Sequence, residues 1–426
     1  MDFKDFNPAP PTVMCLDMNS CFATIEQQAN PLLRGKPVAV AAYTTPGGCI
    51  LAASVEAKRW GIKTGMRVGE GKRLYPALIV LPPDPSKYRF VNRKLLALLN
   101  EYTANIEVKS IDEMILSFSG SPILAKYSKC LVTIEAMKAA AQEIKKRIKQ
   151  EIGEWLTVSV GIAPNRYLAK IASTLHKPDG LEVISQDNIE RVLAGLKLEQ
   201  LCGIKAGYGR RLRVRGITSP LDMYRAAPHA LKHAFGSKIG FDWWLWLHGW
   251  ESSLFDQGET KSIGHSYALG KPYLPHDLRL QQILCQLVEK MGRRLRNNGF
   301  KTQGIHISCL FTDHTSWNHG EKLPGTLFTN NSLYKEALRV LKKAPNKPIR
   351  LMAVACFYLS DGSKEQLGLF EPFDKKRGLT QALDTIADRW GEFTVFPGRM
   401  LGMEQKVLDR IAFGKQNLTT EPFLAA

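Results

Sequence analysis

The sequence predicts a multidomain α+β protein. Its 426 residues, 44% of them hydrophobic, are enough to bury more than one core. From residue 12 to about 178, apolar runs of strand character alternate with helix-like segments and hairpins. From 262 to 357 the order is strand, helix, strand, strand, helix, strand, a β-α-β-β-α-β unit.

Taken in order, 12–19 read as a strand on the apolar run Val13-Met14-Cys15-Leu16, and 20–29 as a helix. The turn Leu33-Arg34-Gly35 leads into a second strand, Lys36-Pro37-Val38-Ala39-Val40-Ala41, and a glycine-punctuated section runs to about Pro82. A helix is expected at 86–103, a hairpin at 106–118, a long basic amphipathic helix at about 128–151, a strand at 156–161 and a helix at 165–175. This pattern implies a sheet with helices on one face.

Beyond Pro178-Asp179-Gly180 the chain turns helical and short-looped to about Gly249. Within it, Leu201-Cys202-Gly203-Ile204-Lys205-Ala206-Gly207 followed by Arg210 to Gly216 resembles a helix-hairpin-helix. Its turn would offer backbone N–H groups to a DNA phosphate, although Lys205 stands where such hairpins usually carry a second glycine. Trp243, Trp244, Trp246 and Trp250 have helical spacing and read as core rather than as a base-stacking platform. The polar stretch 251–261 reads as a linker. In the unit after it, Lys290, Arg293, Arg294, Arg296 and Lys301 gather near the end of the first helix, either tracking a phosphate backbone or solvating a face. The overall basicity favours the former. A last helix-like stretch covers 379–390.

Fifty-eight Lys and Arg against 40 Asp and Glu give a formal charge of +18 and point to a polyanionic partner, nucleic acid first. No apolar run approaches the ~18 residues that span a bilayer. The first residues resemble neither a signal peptide nor a transit helix, so a cytoplasmic protein with no membrane partner is expected. Eight cysteines sit in apolar contexts without C-x-x-C spacing and read as reduced, mostly buried thiols. His306, Cys309, His314 and His319 fit no zinc spacing, and strand alternation separates them.

The chemistry concentrates in Ser110-Ile111-Asp112-Glu113, two adjacent carboxylates inside the apolar run 106–118, and in Asp17 at the end of another. Carboxylates on strands built for burial are costly unless a cation meets them. A divalent metal is one candidate, because magnesium takes oxygen ligands from a few carboxylates, waters and substrate phosphates. The competing reading makes Asp17 a helix cap and places Asp112 and Glu113 in a hairpin turn.

Four motifs together resemble the Y-family, translesion DNA polymerases, over about 12–370. Asp17-Met18-Asn19-Ser20-Cys21-Phe22 resembles that family's first metal motif, and Asn30-Pro31-Leu32-Leu33-Arg34-Gly35-Lys36-Pro37-Val38 its N-P-x-L-x-G-K-P-V stretch. Ser110-Ile111-Asp112-Glu113 is similar to the second metal motif. Gly161-Ile162-Ala163-Pro164-Asn165-Arg166-Tyr167-Leu168-Ala169-Lys170-Ile171-Ala172-Ser173, with Lys177-Pro178-Asp179-Gly180 after it, resembles the most diagnostic segment.

The resemblance implies a right-hand polymerase with a ferredoxin-like palm at 1–30 and 83–178, small fingers at 31–82 and a helical thumb with the helix-hairpin-helix at 179–250. The linker 251–261, a β-α-β-β-α-β little finger at 262–360 and a tail at 361–426 would follow. It implies a bacterial, DNA-directed, error-prone lesion-bypass enzyme of the SOS response that transfers nucleotides from dNTP to a primer 3′ hydroxyl on template DNA. Asp17, Asp112 and Glu113, with the Met18 carbonyl, would hold two Mg2+ ions. Lys58 and Lys170 match triphosphate-contacting positions, and Phe22 matches the aromatic gate against a 2′ hydroxyl. Gly203, Lys205, Gly207, Arg293, Arg294 and Arg296 would meet DNA.

Val55 stands where many relatives have a tyrosine, Lys58 replaces a frequent arginine and Asn19 replaces the aspartate of the DinB-like pattern, which leans toward the UmuC-like branch and leaves UmuC-like and DinB-like both open. An UmuD-like accessory subunit is a further expected partner. Gln366-Leu367-Gly368-Leu369-Phe370 resembles the Q-L-x-L-F peptide that docks on the sliding clamp through Gln366, Leu367, Leu369 and Phe370. The rival expectation is a non-catalytic DNA-binding or clamp-associated scaffold of the same fold.

Overall fold

The computed structural model describes residues 6–121, 124, 126, 134–252, 261–361 and 373–403, with backbone alone at 373, 374 and 376. The clamp-like peptide 366–370 lies outside them. The chain divides into two compact units, separated between residues 257 and 258.

The first unit begins with β1 (Val13–Met18), α1 (Cys21–Ala29), β2 (Val38–Ala41), β3 (Ile50–Ala53), α2 (Val55–Arg59), α3 (Val68–Leu74), β4 (Ile79–Leu81) and α4 (Pro85–Asn100). It continues with β5 (Ile106–Val108), β6 (Glu113–Ser117), α5 (Ile134–Arg147), β7 (Val158–Ala163), α6 (Arg166–Leu175) and β8 (Leu181–Val183). The central sheet has the order β5-β6-β1-β7-β8, with β1 antiparallel to both neighbours. A separate small sheet, β3-β2-β4, wraps a core of Ala39, Ala41, Ile50, Ala57, Ile62 and Leu78.

The expectation of helices on one face needs correction. Met14 and Leu16 of β1 pack with α4 and α5, whereas Val13 and Cys15 pack with Leu168, Ile171 and Ala172 of α6 on the opposite face. Every residue of β1 is therefore buried, as in a strand covered on both sides. α6 can approach so closely because β7 carries Gly161, where a Cβ would lie 2.1 Å from the Ala169 carbonyl oxygen and 2.2 Å from the Ser173 amide. The Asn165 side chain caps α6 by accepting from the Leu168 amide at 2.8 Å, and it donates to the Trp246 and Trp250 carbonyls at 2.9 Å each.

Helices α7 (Ile189–Ala194), α8 (Ala206–Val214), α9 (Pro220–Arg225), α10 (Pro228–Phe235) and α11 (Ile239–Leu247) complete this unit. Trp243 and Trp244 of α11 are buried and Trp246 and Trp250 pack against the same cluster, the core placement expected of them.

The second unit comprises β9 (Ser262–Tyr273), α12 (Leu278–Asn297), β10 (Phe300–Phe311), β11 (Ser316–Leu327), α13 (Asn330–Leu341), β12 (Ile349–Asp361) and α14 (Phe373–Trp390). Its sheet runs β11-β10-β12-β9, the β-α-β-β-α-β order read from the sequence.

The basic cluster on α12 turns out to be occupied. Arg296 grips Asp384 of α14 through two hydrogen bonds of 2.6 and 2.7 Å and also donates to the Phe328 carbonyl and Asn330 Oδ1. Arg293 pairs with Asp388 and Glu392, and Lys290 lies 3.2 Å from Glu392. Lys301 is buried, its ammonium 5.5 Å from the Phe328 ring centre. Arg293 and Arg296 thus form an internal ion-pair row in this structure; Arg294 alone of the three arginines is exposed. Removing one member of a partly buried ion-pair row leaves its partner uncompensated. Arg296→Ala should therefore cost about 1–3 kcal/mol of stability and leave the salt dependence of DNA binding unchanged. Thermal melts and DNA titrations over a salt series check this; a salt slope lowered by about one would return Arg296 to the phosphates.

Candidate active site

Register brings the first two carboxylates together. Asp17 is the direct cross-strand partner of Glu113, and both project to the face covered by α6. Asp112 stands one residue before β6, where its carbonyl accepts from the Met18 amide at 2.9 Å. Its Oδ1 accepts from Ser110 Oγ.

Two lysines meet the acids. Lys170 Nζ, from α6, donates to Asp17 Oδ2 at 2.6 Å and lies 2.8 Å from Glu113 Oε2. Lys177 Nζ donates to the other Asp17 oxygen, Oδ1. Burial alone would lower the Lys170 pKa, but Asp17 and Glu113 more than offset it and hold the ammonium well above its ordinary range. Cys15 lies behind them, 3.7 Å from Glu113 Oε1, and burial together with Glu113 pushes its thiol up to about 12. The helix-cap reading of Asp17 fails, because its carboxylate is taken by lysines and α1 has no side-chain cap.

A cavity of about 590 Å³ opens beside the acids, lined among others by Asp17, Phe22, Lys58, Arg59, Asp112 and Lys177. Phe22, in the first turn of α1, stacks on Tyr88 with ring centres 4.3 Å apart and planes 9° apart. Lys58, on α2 behind the Ser54 cap, donates to Ser20 Oγ at 2.8 Å. Burial and the neighbouring Lys177 lower its pKa, with Asp17 partly compensating. Asn19 is a brace: its Nδ2 donates to Ser159 Oγ at 2.9 Å and its Oδ1 accepts from the Asp179 amide at 2.8 Å.

Among the described residues no three His, Cys, Asp or Glu side chains already converge on one metal position. The donor set nevertheless suits a hard divalent cation. One cationic nitrogen is already shared by Asp17 and Glu113, and Asp112 lines the same cavity as Asp17. Sequence reasoning singled out Lys170 but gave Lys177 no role. Gly203, Lys205 and Gly207 are exposed around buried Leu201 and Ile204, with Gly203 at φ 95°, a conformation that favours glycine.

A largely buried carboxylate pair on a sheet, two lysines and an open cavity beside them are the makings of a metal-dependent transferase acting on a phosphorylated substrate. Residues 16–174 match the impB/mucB/samB family and 260–369 match that family's C-terminal domain. The chain is 31% identical to a DNA polymerase IV of Pelotomaculum thermopropionicum over 90% of its own length and 94% of that protein's. It is 29% identical to DNA polymerase IV 2 of Bacillus subtilis, covering 94% and 97%. Among solved structures, a Y-family DNA polymerase chimera of Dbh and Dpo4 matches with TM-score 0.68 at 25% identity, over 82% of this chain and 98% of that one. The chain belongs to the impB/mucB/samB family of Y-family DNA polymerases. It is thus a DNA-directed, divalent-metal-dependent DNA polymerase of the lesion-bypass class. Its relatives named DNA polymerase IV set it with the DinB-like members, one of the two branches left open, and against the lean drawn from Asn19, Val55 and Lys58. No helix among the described residues is long and apolar enough to cross a membrane.

Proposed function

We propose that this chain extends a primer on template DNA from dNTP, with Asp17, Asp112, Glu113 and the Met18 carbonyl as ligands of two Mg2+ ions. The observation that carries this is the single nitrogen of Lys170 shared by Asp17 and Glu113, a cation held between two carboxylates inside a protein face that would otherwise repel them. When bound, the ions activate the primer hydroxyl and neutralise the leaving pyrophosphate. Lys58 and Lys177, both at the cavity wall, take the triphosphate, and Lys170 changes partner from carboxylate to phosphate as the site fills. Phe22 presses on the sugar edge. A magnesium-dependent primer-extension assay on an undamaged primer-template tests the reading. Extension that stops with chelator is expected, and DNA binding without extension would favour the scaffold.

The parts then follow: palm at 1–30 and 83–178, fingers at 31–82, thumb at 179–250, linker 251–261, little finger 262–360 and tail 361–426. Fingers of roughly 50 residues close little over the nascent pair, so selection by induced fit is weak and synthesis error-prone. Gly203, Lys205, Gly207 and Arg294 hold the DNA backbone. The enzyme works in the cytoplasm, and an UmuD-like subunit is a partner that co-purification would reveal.

Gln366, Leu367, Leu369 and Phe370 dock on a sliding clamp. Replacing Leu369 and Phe370 with Ala should leave extension on short free primer-templates unchanged and abolish clamp stimulation, because tethering is lost with its anchor. Equal loss with and without clamp, accompanied by a lower melting temperature, would make the pair part of a core instead.

A further inference from the structure

The segment between Pro31 and Pro82 carries eight Lys and Arg against two Glu. Neither acid answers the cations on its outer surface: Glu56 accepts from Gln27 Nε2 at 3.1 Å, and Glu70 accepts from the Arg67 amide at 3.3 Å. Arg59, Lys63, Lys72 and Arg73 are exposed and pair with no carboxylate among the described residues. Between them stands Trp60, 54% exposed although it is the largest apolar side chain of the segment. It takes no part in the small core of this section. Instead it leans on Tyr75, ring centres 5.0 Å apart, beside an equally open Leu74.

An exposed aromatic ringed by unpaired cations is costly to leave in water and matches one chemistry, a strand of unstacked bases joined by phosphates. Position narrows it further. Arg59 and Thr64, on either side of Trp60 in the chain, line the cavity assigned to the incoming nucleotide, so the surface continues from that site. We propose that Trp60, propped on Tyr75 and flanked by Arg59, Lys63, Lys72 and Arg73, is a stacking platform for single-stranded DNA, the unpaired template that runs on beyond the nascent pair. The inference rests on the polymerase reading and adds a subsite to it.

The test is anisotropy of labelled primer-templates whose 5′ template overhang is one or ten nucleotides long, with extension measured in parallel. The wild-type protein should bind the long overhang more tightly, and Trp60→Leu, which keeps the apolar cover of Tyr75 without a π face, should lose about tenfold on the long overhang and nothing on the short one. Trp60→Phe should restore the preference. A Trp60→Leu protein that melts normally and keeps the full overhang preference overturns the platform, as does a wild type that extends primers but binds both overhangs alike. A wild type that does not extend at all overturns the polymerase reading along with it. Loss of affinity on both overhangs alike would make Trp60 a packing residue and sink the platform.

Discussion

Replacing Asp112 with Ala should lower primer extension by on the order of a thousandfold or more, because a lost metal ligand removes several kcal/mol of transition-state stabilisation. Affinity for primer-template should stay within about twofold, since the contacts that position DNA lie elsewhere. Asp112 is a cleaner probe than Asp17. Its side chain contacts Ser110, and its link to β1 runs through its own carbonyl and the Met18 amide, which the substitution keeps. Asp17 is held by two lysines, so its removal takes the carboxylate from Lys177 and leaves Lys170 to Glu113 alone, which costs stability as well as activity. Glu113→Ala should match Asp112→Ala in extension but lower the melting temperature, as it frees one side of Lys170. Steady-state extension, anisotropy and thermal melts on the three variants check the order; near-normal turnover in Asp112→Ala would contradict it.

Phe22→Ala should raise ribonucleotide incorporation by on the order of a hundredfold, the discrimination one packed group supplies, while deoxynucleotide use falls far less. The effect is asymmetric because the ring acts by clash rather than attraction. Phe22 also stacks on Tyr88, so the truncation loosens the wall of α1 against α4. Phe22→Leu separates the two roles: it keeps much of the packing yet presents a smaller, softer edge, and its sugar selectivity should fall between wild type and Ala. Competition assays with matched dNTP and rNTP read this directly. Unchanged selectivity in both variants would assign Phe22 to the core.

The carboxylates were legible because burial makes them expensive. Asp17 and the Asp112-Glu113 pair interrupt apolar runs, and the paired register of β1 and β6 then sets Asp17 against Glu113. Lys177 left no such mark. It lies two residues past the end of α6, and only the return of the chain toward β8 brings it to Asp17, a tertiary contact with no local period. The α12 arginines were visible as a basic face, but their partners are about 90 residues onward. The clue was there in Asp384, Asp388 and Glu392, acids spaced by four, which form the complementary row. Helices on both faces of the sheet were missed for a similar reason: the permission for α6 lies in the single Gly161, whose meaning depends on what packs above it.

Asp17, Asp112 and Glu113 are proposed to form one metal centre that displaces the Lys170 contact. Counting bound Mn2+ by electron paramagnetic resonance, in the complex with primer-template and a non-hydrolysable dNTP analogue, tests it most directly. Two ions per chain are expected in the wild-type protein and a loss of at least one in Asp112→Ala; an unchanged count in Asp112→Ala, with DNA and nucleotide still bound, would contradict the shared metal centre.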